Sequence, residues 1–236
     1  MKLNIIKIPT VIIMIISMFF ACACQDTKTS SKQGNDRSDE SGSYIIFEPD
    51  TTENVTDENI DAVISVLQSR LDSNGIYTAE VTKKSNNRIV VEIPGIDNPE
   101  EAISLLGSTA KLEFVDKDGN VILSGDDVVD ACATYESFDS TQTKSHMIRL
   151  ELSDEGALKF ADATERISQY TPGKNYIAIQ LDGNIISMPS VNEKIETTEC
   201  IISGDFDEKS AKHLATLIQS GQLPFSLNCI ESGKIN

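Results

Sequence analysis

The stretch Tyr176–Pro224, YIAIQLDGNIISMPSVNEKIETTECIISGDFDEKSAKHLATLIQSGQLP, decides the fold of this 236-residue chain. From Ile177 to Leu181 large apolar side chains alternate with Ala178 and Gln180, which is the pattern of a half-buried strand. Asp182-Gly183 follows, and this dipeptide accepts the positive φ angles of a tight turn. Ile185-Ile186 resumes the strand, so this part of the chain predicts a β-hairpin.

The same stretch continues into a third short strand and ends in a helix. Cys200–Ile202 is an apolar run of strand length. Asp207 suits a helix N-cap because its carboxylate can accept from a free N–H of the first turn. Gly221 is placed to end the helix, and Pro224 prevents it from resuming. At the spacing i, i+3, i+4, i+7 the helix has an apolar face of Ala211, Leu214, Ala215 and Ile218.

Six elements are predicted in the first part of the folded region, in the order strand, helix, strand, strand, helix, strand. They are a strand at Tyr44–Glu48, a helix from Thr56 to Gly75, a hairpin of Ala79–Lys84 and Arg88–Ile93, a helix from Asn98 to Gly107 and a strand at Lys111–Val115. The first helix has an apolar face of Ile60, Val63, Ile64, Leu67 and Leu71. This order is typical of a ferredoxin-like βαββαβ arrangement, an α+β fold with both helices on one face of an antiparallel sheet.

Between these two parts the pattern predicts turns, a strand and a helix. Asp116–Asn120 resembles the start of a calcium loop, but its glycine stands at the fourth position instead of the sixth, which favours a β-turn. Asp126 and Asp127 are predicted to lie in a solvated turn. Met147–Leu152 reads as a strand, and Ser153 is predicted to cap a helix whose inner face is Ala157, Phe160, Ala161 and Thr164.

Two parts of the chain resemble the large extracytoplasmic domain of SecD, a membrane subunit of the bacterial protein-export machinery. LDGNIISMPSVNEKI followed by ISGDFDEKSAKHLATLIQSGQLP is similar to its head, and NNRIVVEIPGIDNPEEAISLLGSTAKLEF is similar to its base. The resemblance covers roughly residues 59–227. It implies a ferredoxin-like base over 44–117 and a smaller α+β head over 118–224. It also implies that the last residues, 225–236, return to the base.

The first 24 residues read as a targeting segment. Lys2 and Lys7 give it a basic start, and Val11–Phe20 is an apolar run shorter than the roughly 20 residues of a spanning helix. The following cysteines resemble the lipobox of bacterial lipoproteins, in which a cysteine thiol receives a diacylglyceryl group. Cys22 is the favoured lipidation site and Cys24 the alternative; an ordinary cleaved signal peptide is the other interpretation.

Residues 25–43 contain no apolar side chain, so they cannot offset the entropy of ordering, and we expect a disordered tether. The net charge of the whole chain is −17 at pH 7. Such an acidic chain is a poor electrostatic partner for nucleic acid, and no nucleic-acid binding is expected.

No pattern of catalytic or metal-binding residues is visible in the sequence. Cys132, Cys200 and Cys229 lack the spacing of a zinc site, and three buried thiols or one disulfide are expected. His146 and His213 have no cysteine, serine or acid at a meaningful spacing, and His213 is expected at the wet edge of its helix. We therefore expect no enzyme activity, no cofactor and no metal.

The resemblance to SecD implies a function in protein export. No apolar span follows the leader, so we expect a protein held by lipid at the outer face of the bacterial cytoplasmic membrane. There it would bind translocating or unfolded polypeptide, through sheet edges or an apolar patch on the head, or bind components of the Sec translocon. The alternative is an envelope solute-binding or structural lipoprotein that reuses the fold.

Overall fold

The computed structural model describes residues 41–53, 55–96, 98–137 and 143–235. The predicted signal peptide, both candidate lipidation sites Cys22 and Cys24, and residues 25–40 of the predicted tether lie outside the described residues. The described residues all belong to one unit of the chain, Ser38–Asn236. None of their helices is long and apolar enough to cross a membrane.

The described residues form four α-helices and eleven β-strands. In chain order they are β1 (Gly42–Pro49), α1 (Asp57–Ser73), β2 (Glu80–Lys83), β3 (Ile89–Pro94), α2 (Glu100–Gly107), β4 (Leu112–Val115), β5 (Val121–Ser124), β6 (Val128–Glu136), β7 (Ser145–Leu152), α3 (Asp154–Ser168), β8 (Ala178–Leu181), β9 (Asn184–Ser187), β10 (Glu199–Phe206), α4 (Glu208–Ser220) and β11 (Leu227–Ile235). The predicted α+β fold class is confirmed.

The first sheet is antiparallel and has the strand order β11-β1-β3-β2. Alternate side chains of its strands are buried against α1 and α2 on one face, among them Ile45, Phe47, Ile89 and Val91. The sheet with its two helices has the βαββαβ order of a ferredoxin-like fold, with β11 as the fourth strand. We call this part the base.

The prediction that Lys111–Val115 is the fourth strand of this sheet is wrong. Residues 112–115 form β4, which pairs with β5 and β8 in another sheet, whereas β11 pairs with β1 from Pro49↔Leu227 to Gly42↔Ile235. An alternating apolar pattern shows that a segment is a strand but does not identify its partner. The first pass of the chain through the base therefore ends after α2, one strand before the expected boundary at residue 117, because β4 already belongs to another sheet. The chain returns to the base with its last strand, β11.

Two further sheets, with the orders β5-β4-β8-β9 and β10-β7-β6, form the second part together with α3 and α4. We call this part the head. Its apolar core joins both sheets to both helices; buried members include Phe114, Leu150, Phe160, Ile179 and Leu214. The strand β6 was missed by sequence reasoning, since the run VVDACATYE shows neither clean alternation nor a continuous apolar run.

Three predicted helix caps and the predicted hairpin turn are confirmed, whereas the helix start expected at Asn98 is wrong, because α2 begins at Glu100 with Pro99 at the cap position. The side chains of Thr56, Ser153 and Asp207 accept hydrogen bonds from the backbone N–H three residues later and so cap α1, α3 and α4. In the β8–β9 hairpin, Asp182 and Gly183 have φ angles of 50° and 77°, as the turn dipeptide predicts.

Candidate binding groove between the base and the head

An open groove of about 620 Å³ lies between helix α2 of the base and helix α4 of the head. Its apolar lining comes from the base: Ile76 and Ile96 lie in loops, and Ala102 and Leu105 lie on α2. The opposite wall is polar and consists of residues in the first turns of α4. The groove thus combines an apolar side with a charged, hydrogen-bonding side.

The spacing of residues on α4 explains which of its side chains reach this groove. The apolar face, with Ala211, Leu214 and Ala215, is buried in the core of the head. The neighbouring stripe, with Lys209 and His213 one turn apart, faces the base and lines the groove.

An ion pair crosses the groove from one wall to the other. Lys209 Nζ of α4 lies 2.5 Å from Glu101 Oε1 of α2, and both side chains are about three-quarters exposed. The hydrogen bond from Lys209 lowers the pKa of Glu101 from its usual value. Because both groups are solvated, this pair supplies charge at the groove more than it supplies stability.

His213 is half-buried in the wall of the groove, deeper than the wet edge expected from the sequence. Burial lowers the pKa of its imidazole, and the positive charges of Arg70 and Lys209 lower that pKa further. Its side chain is therefore held in the neutral form to lower pH than a free histidine.

Arg70 lies behind the groove and was missed by sequence reasoning, since its position on α1 adjoins the predicted apolar face. Its side chain is fully buried. The guanidinium donates to the carbonyls of Leu105, Leu106 and Ser108 at 3.1, 3.1 and 2.6 Å. It also donates to Ser220 Oγ at 3.1 Å and to the Gly221 carbonyl at 3.2 Å.

A second polar contact lies where the chain leaves the base for the head. The Asp182 carboxylate in the β8–β9 turn accepts from Ser108 Oγ at 2.8 Å and from the backbone N–H groups of Ala110 and Lys111 at 3.1 and 2.8 Å. Ala110 has a φ angle of 59°, a backbone state that is unfavourable for alanine and that these hydrogen bonds hold in place. The turn that predicted the hairpin therefore also fixes the first connection between base and head.

The acidic residues singled out in the sequence serve local structure. Asp116 accepts from the backbone N–H groups of Asp118 and Asn120 in its own turn and from Arg166 on α3, so its carboxylate is used within the head. The prediction that Asp127 is solvated is wrong: the residue is buried, because it closes a capping box with Ser124, and it accepts from Lys159 at 2.8 Å. Among the described residues no group of His, Cys, Asp and Glu could hold a metal ion.

The expectation of three buried thiols is also wrong. Cys132 on β6 and Cys229 on β11 are exposed, and all three described cysteines are free. Cys200 is mostly buried, and burial raises the pKa of its thiol to about 11. His146 packs against the ring of Tyr135, with 4.6 Å between ring centroids, and does not face the groove between α2 and α4.

The apolar patch expected on the head stays a prediction; the head exposes several large apolar side chains, two of them on and beside β9. Ile185 and Met188 are 61% and 56% exposed. The edge of β9 is partly covered, since Ser187 Oγ donates to the Ser203 carbonyl of β10 at 2.7 Å.

Two family models match the chain and together span both parts. The model described as "SecDF, P1 head subdomain" matches residues 104–225, and "Protein translocase subunit SecDF, P1 domain, N-terminal" matches residues 60–119. The chain belongs to the SecD/SecDF family. The head model covers the segment that the structure shows between α2 and β11.

Individual SecD proteins are similar over most of this chain. The protein translocase subunit SecD of Acidaminococcus fermentans is 34% identical over 222 residues, which are 93% of this chain and 50% of that protein. SecD of Dictyoglomus turgidum is 36% identical over 182 residues, 77% of this chain and 43% of that protein. The chain thus spans about half the length of these relatives.

Solved SecDF structures share the fold. A structure described as SecDF in a super-membrane-facing form has a TM-score of 0.69 and 26% identity, over 81% of this chain and 30% of that one. A second, described as a membrane component that enhances protein export, has a TM-score of 0.67 and 26% identity and is matched over 98% of its length by 80% of this chain.

Proposed function

We propose that this protein assists protein export at the outer face of the cytoplasmic membrane by holding a segment of extended polypeptide in the groove between α2 and α4. The observation that carries the proposal is the groove itself, an open site of about 620 Å³ with an apolar wall on the base and a charged wall on the head. Its volume lies within the range of about 300–1,000 Å³ that is typical of binding sites. The homology to SecD supplies the process in which such a site would act.

The dimensions of the groove suit a short stretch of extended chain. Helix α2 has eight residues, so its wall is about 12 Å long. Extended chain rises about 3.3 Å per residue, and roughly four residues therefore fit along it. The half-buried Ile76 and Ile96 would contact apolar side chains, while the α4 wall offers groups that can bond to the peptide backbone.

The alternative function, that of a solute-binding lipoprotein, would require a deep and closed pocket. This groove is open to solvent and bordered by exposed charges such as Glu101 and Lys209. Small molecules are bound tightly when most of their surface is buried, whereas an extended chain can lie across an open groove and extend beyond it.

The proposal includes a lipid anchor at Cys22, with Cys24 as the alternative. Ser41 is the first described residue, and its carbonyl oxygen accepts from the Gly95 N–H at 2.9 Å. Ile96, which follows Gly95, lines the groove. A tether from the anchor would therefore enter the base beside the groove and hold the site near the membrane. The predicted end of the tether at residue 43 is wrong, because Gly42 and Ser43 belong to β1. A flexible chain over the 16 residues 25–40 would span about 22 Å.

A substitution that fills the groove tests the binding site. Ser104 is exposed on α2 and lines the groove, so Ser104→Trp should obstruct it. The affinity of the full chain for a labelled, permanently unfolded polypeptide, measured by fluorescence anisotropy, should fall by about tenfold or more. The matched control is Ser65→Trp, at an exposed position on α1 away from this groove, which should leave the affinity unchanged. An equal loss in both variants, or no binding by the wild-type chain, would refute the proposal.

The anchor is tested separately by metabolic labelling with an alkyne-bearing fatty acid. We expect label on the wild-type chain, no label on Cys22→Ser, and retained label on Cys24→Ser. The reverse pattern would assign the anchor to Cys24. A wild-type chain without label would leave an ordinary cleaved signal peptide as the interpretation of the leader.

A further inference from the structure

One buried side chain joins the C-terminal ends of the two helices that wall the groove. Leu105 and Leu106 lie in the last turn of α2, and Ser108 follows that helix directly. Ser220 is the last residue of α4, and Gly221 is its C-cap. The Arg70 guanidinium on α1 donates to acceptors on all five of these residues.

These acceptors are suited to a cation without a carboxylate partner. The last carbonyls of a helix have no partner within it, and the C-terminal end of a helix carries partial negative charge. At Arg70 two such ends converge, with additional attraction from the nearby Asp182 carboxylate. Burial lowers the pKa of the guanidinium to about 10, so the side chain stays charged at any physiological pH.

The other contacts described between base and head join connecting segments, are exposed, or are less directional. The Leu223 N–H donates to the Thr109 carbonyl at 2.9 Å, but neither residue lies in α2 or α4. The Glu101–Lys209 ion pair is exposed, and such pairs contribute little. Leu105, Ala110 and Leu217 form a small apolar cluster, and apolar contact alone does not fix an angle between helices. Asp182 fixes the connecting segment 108–111 but makes no hydrogen bond to α4 among the described contacts.

We propose that Arg70 is the positioning residue of the groove: by holding the C-terminal ends of α2 and α4 in one hydrogen-bond network, it sets the distance and angle between the two walls. The planar, five-donor guanidinium is needed because its acceptors lie in several directions and on both parts of the molecule. A lysine at this position would keep the charge but could not reach both helix ends with fixed geometry.

The test measures the distance between the walls directly. Spin labels are placed at Ser104→Cys on α2 and Lys212→Cys on α4, in the full chain with its five native cysteines replaced by serine. The distance distribution is recorded by pulsed electron paramagnetic resonance for Arg70 and for Arg70→Met. The matched control is Leu71→Ala, which removes a fully buried side chain of the base core next to Arg70 on the same helix.

We expect one narrow distance with Arg70, a broadened or divided distribution with Arg70→Met, and an unchanged narrow distance with Leu71→Ala despite its lower melting temperature. An unchanged distribution in Arg70→Met would overturn the proposal. Equal broadening in Leu71→Ala would do so too, because it would mean that any loss of base stability loosens the groove. If Arg70→Met does not accumulate as folded protein, Arg70→Lys is measured in its place under the same criteria.

This inference does not depend on what the groove binds. If Ser104→Trp leaves polypeptide affinity unchanged, the proposed function fails, while the distance measurement still decides the role of Arg70. If polypeptide binding is confirmed but the distance does not respond to Arg70, the groove is positioned by other contacts.

Discussion

Asp116 and Arg70, two of the buried charged residues, are satisfied in opposite ways. In the head, the Asp116 carboxylate accepts from backbone N–H groups of its own turn and from Arg166, all within the same part of the molecule. At the junction, the Arg70 guanidinium bonds only to neutral oxygens, on residues of both base and head. A buried charge with local partners holds a turn, whereas one with distant partners holds two bodies together.

This difference predicts different consequences when each charge is removed. Loss of Asp116 should weaken the head but leave the groove in place. Loss of Arg70 should weaken the contact between base and head and alter the groove. The following predictions test that contrast, beginning with the largest expected effect.

Arg70→Met should cause the largest loss of stability. It leaves several neutral acceptors at two helix ends without their donor, and each unsatisfied buried group costs about 1–3 kcal/mol, so the total should exceed the cost of losing a single one. Urea denaturation at neutral pH measures the loss. A cost below about 1 kcal/mol, the range of an exposed ion pair, would show that the network contributes little and would remove the contrast.

Asp116→Ala should cost about 1–3 kcal/mol, since it leaves the N–H groups of its turn without an acceptor. Burial alone would raise the pKa of Asp116, but hydrogen bonds from Asn120, Asp118 and Arg166 outweigh it and lower the pKa. A lowered pKa stabilises the fold above the ordinary value near 3.8, and this contribution is lost as pH falls through the folded-state pKa.

The difference in unfolding free energy between wild type and Asp116→Ala should therefore be larger at pH 7 than at pH 3. Asp118→Ala, at an exposed position in the same turn, is the matched control and should show a much smaller loss at both pH values. A loss from Asp116→Ala that is the same at both pH values would contradict the electrostatic part of this explanation.

Signals carried by neighbouring residues made much of the fold predictable. Thr56, Ser153 and Asp207 act over three residues, and Asp182-Gly183 turns the chain within two, so the sequence determines caps and hairpins directly. The pairing of β11 with β1 joins residues between 178 (Pro49 and Leu227) and 193 (Gly42 and Ile235) positions apart, and no local pattern distinguishes β11 from β4 as the fourth base strand.

The groove could not be predicted either, because it too depends on contacts between residues far apart in the sequence. Arg70 reads as an ordinary charged residue on an amphipathic helix, and its acceptors are mostly backbone carbonyls, which leave no mark in the sequence. A charged residue directly beside the apolar face of α1 was the one available sign. The role of Arg70 is visible only in the folded protein, where the C-terminal ends of α2 and α4 meet at its side chain.

His213→Gln should change the pH dependence of stability by a smaller amount. Burial, followed by the charges of Arg70 and Lys209, lowers the pKa of His213 below its ordinary value of 6.5. The folded state then holds the proton less tightly than the unfolded state, so this residue's contribution is present above pH 6.5 and is lost as pH falls through the folded-state pKa. Glu101, Asp207 and Lys212 line the same groove and are retained in the variant.

Denaturation of His213→Gln at several pH values between 5 and 8 should show a shallower fall of stability toward acid pH than the wild type. An identical pH dependence in the two proteins would mean that His213 is not desolvated by the contact between base and head. This result would weaken the view that the groove wall is fixed in solution.

The smallest effect is expected from the exposed Glu101–Lys209 pair. Lys209→Gln should leave the melting temperature unchanged within measurement error, because both side chains are largely solvated and the attraction between them is screened by salt. A marked drop in melting temperature would mean that this pair helps to hold base and head together, a role that we assign to Arg70.

Photo-crosslinking during export tests the central claim, that the groove holds exported polypeptide, most directly. A benzoylphenylalanine is introduced at residue 104 in the groove or, in the control, at residue 65 on α1, in living cells that export a secreted reporter stalled in translocation. We predict a crosslink to the stalled reporter from residue 104 and none from residue 65. No crosslink from residue 104, or equal crosslinks from both positions, would contradict the claim.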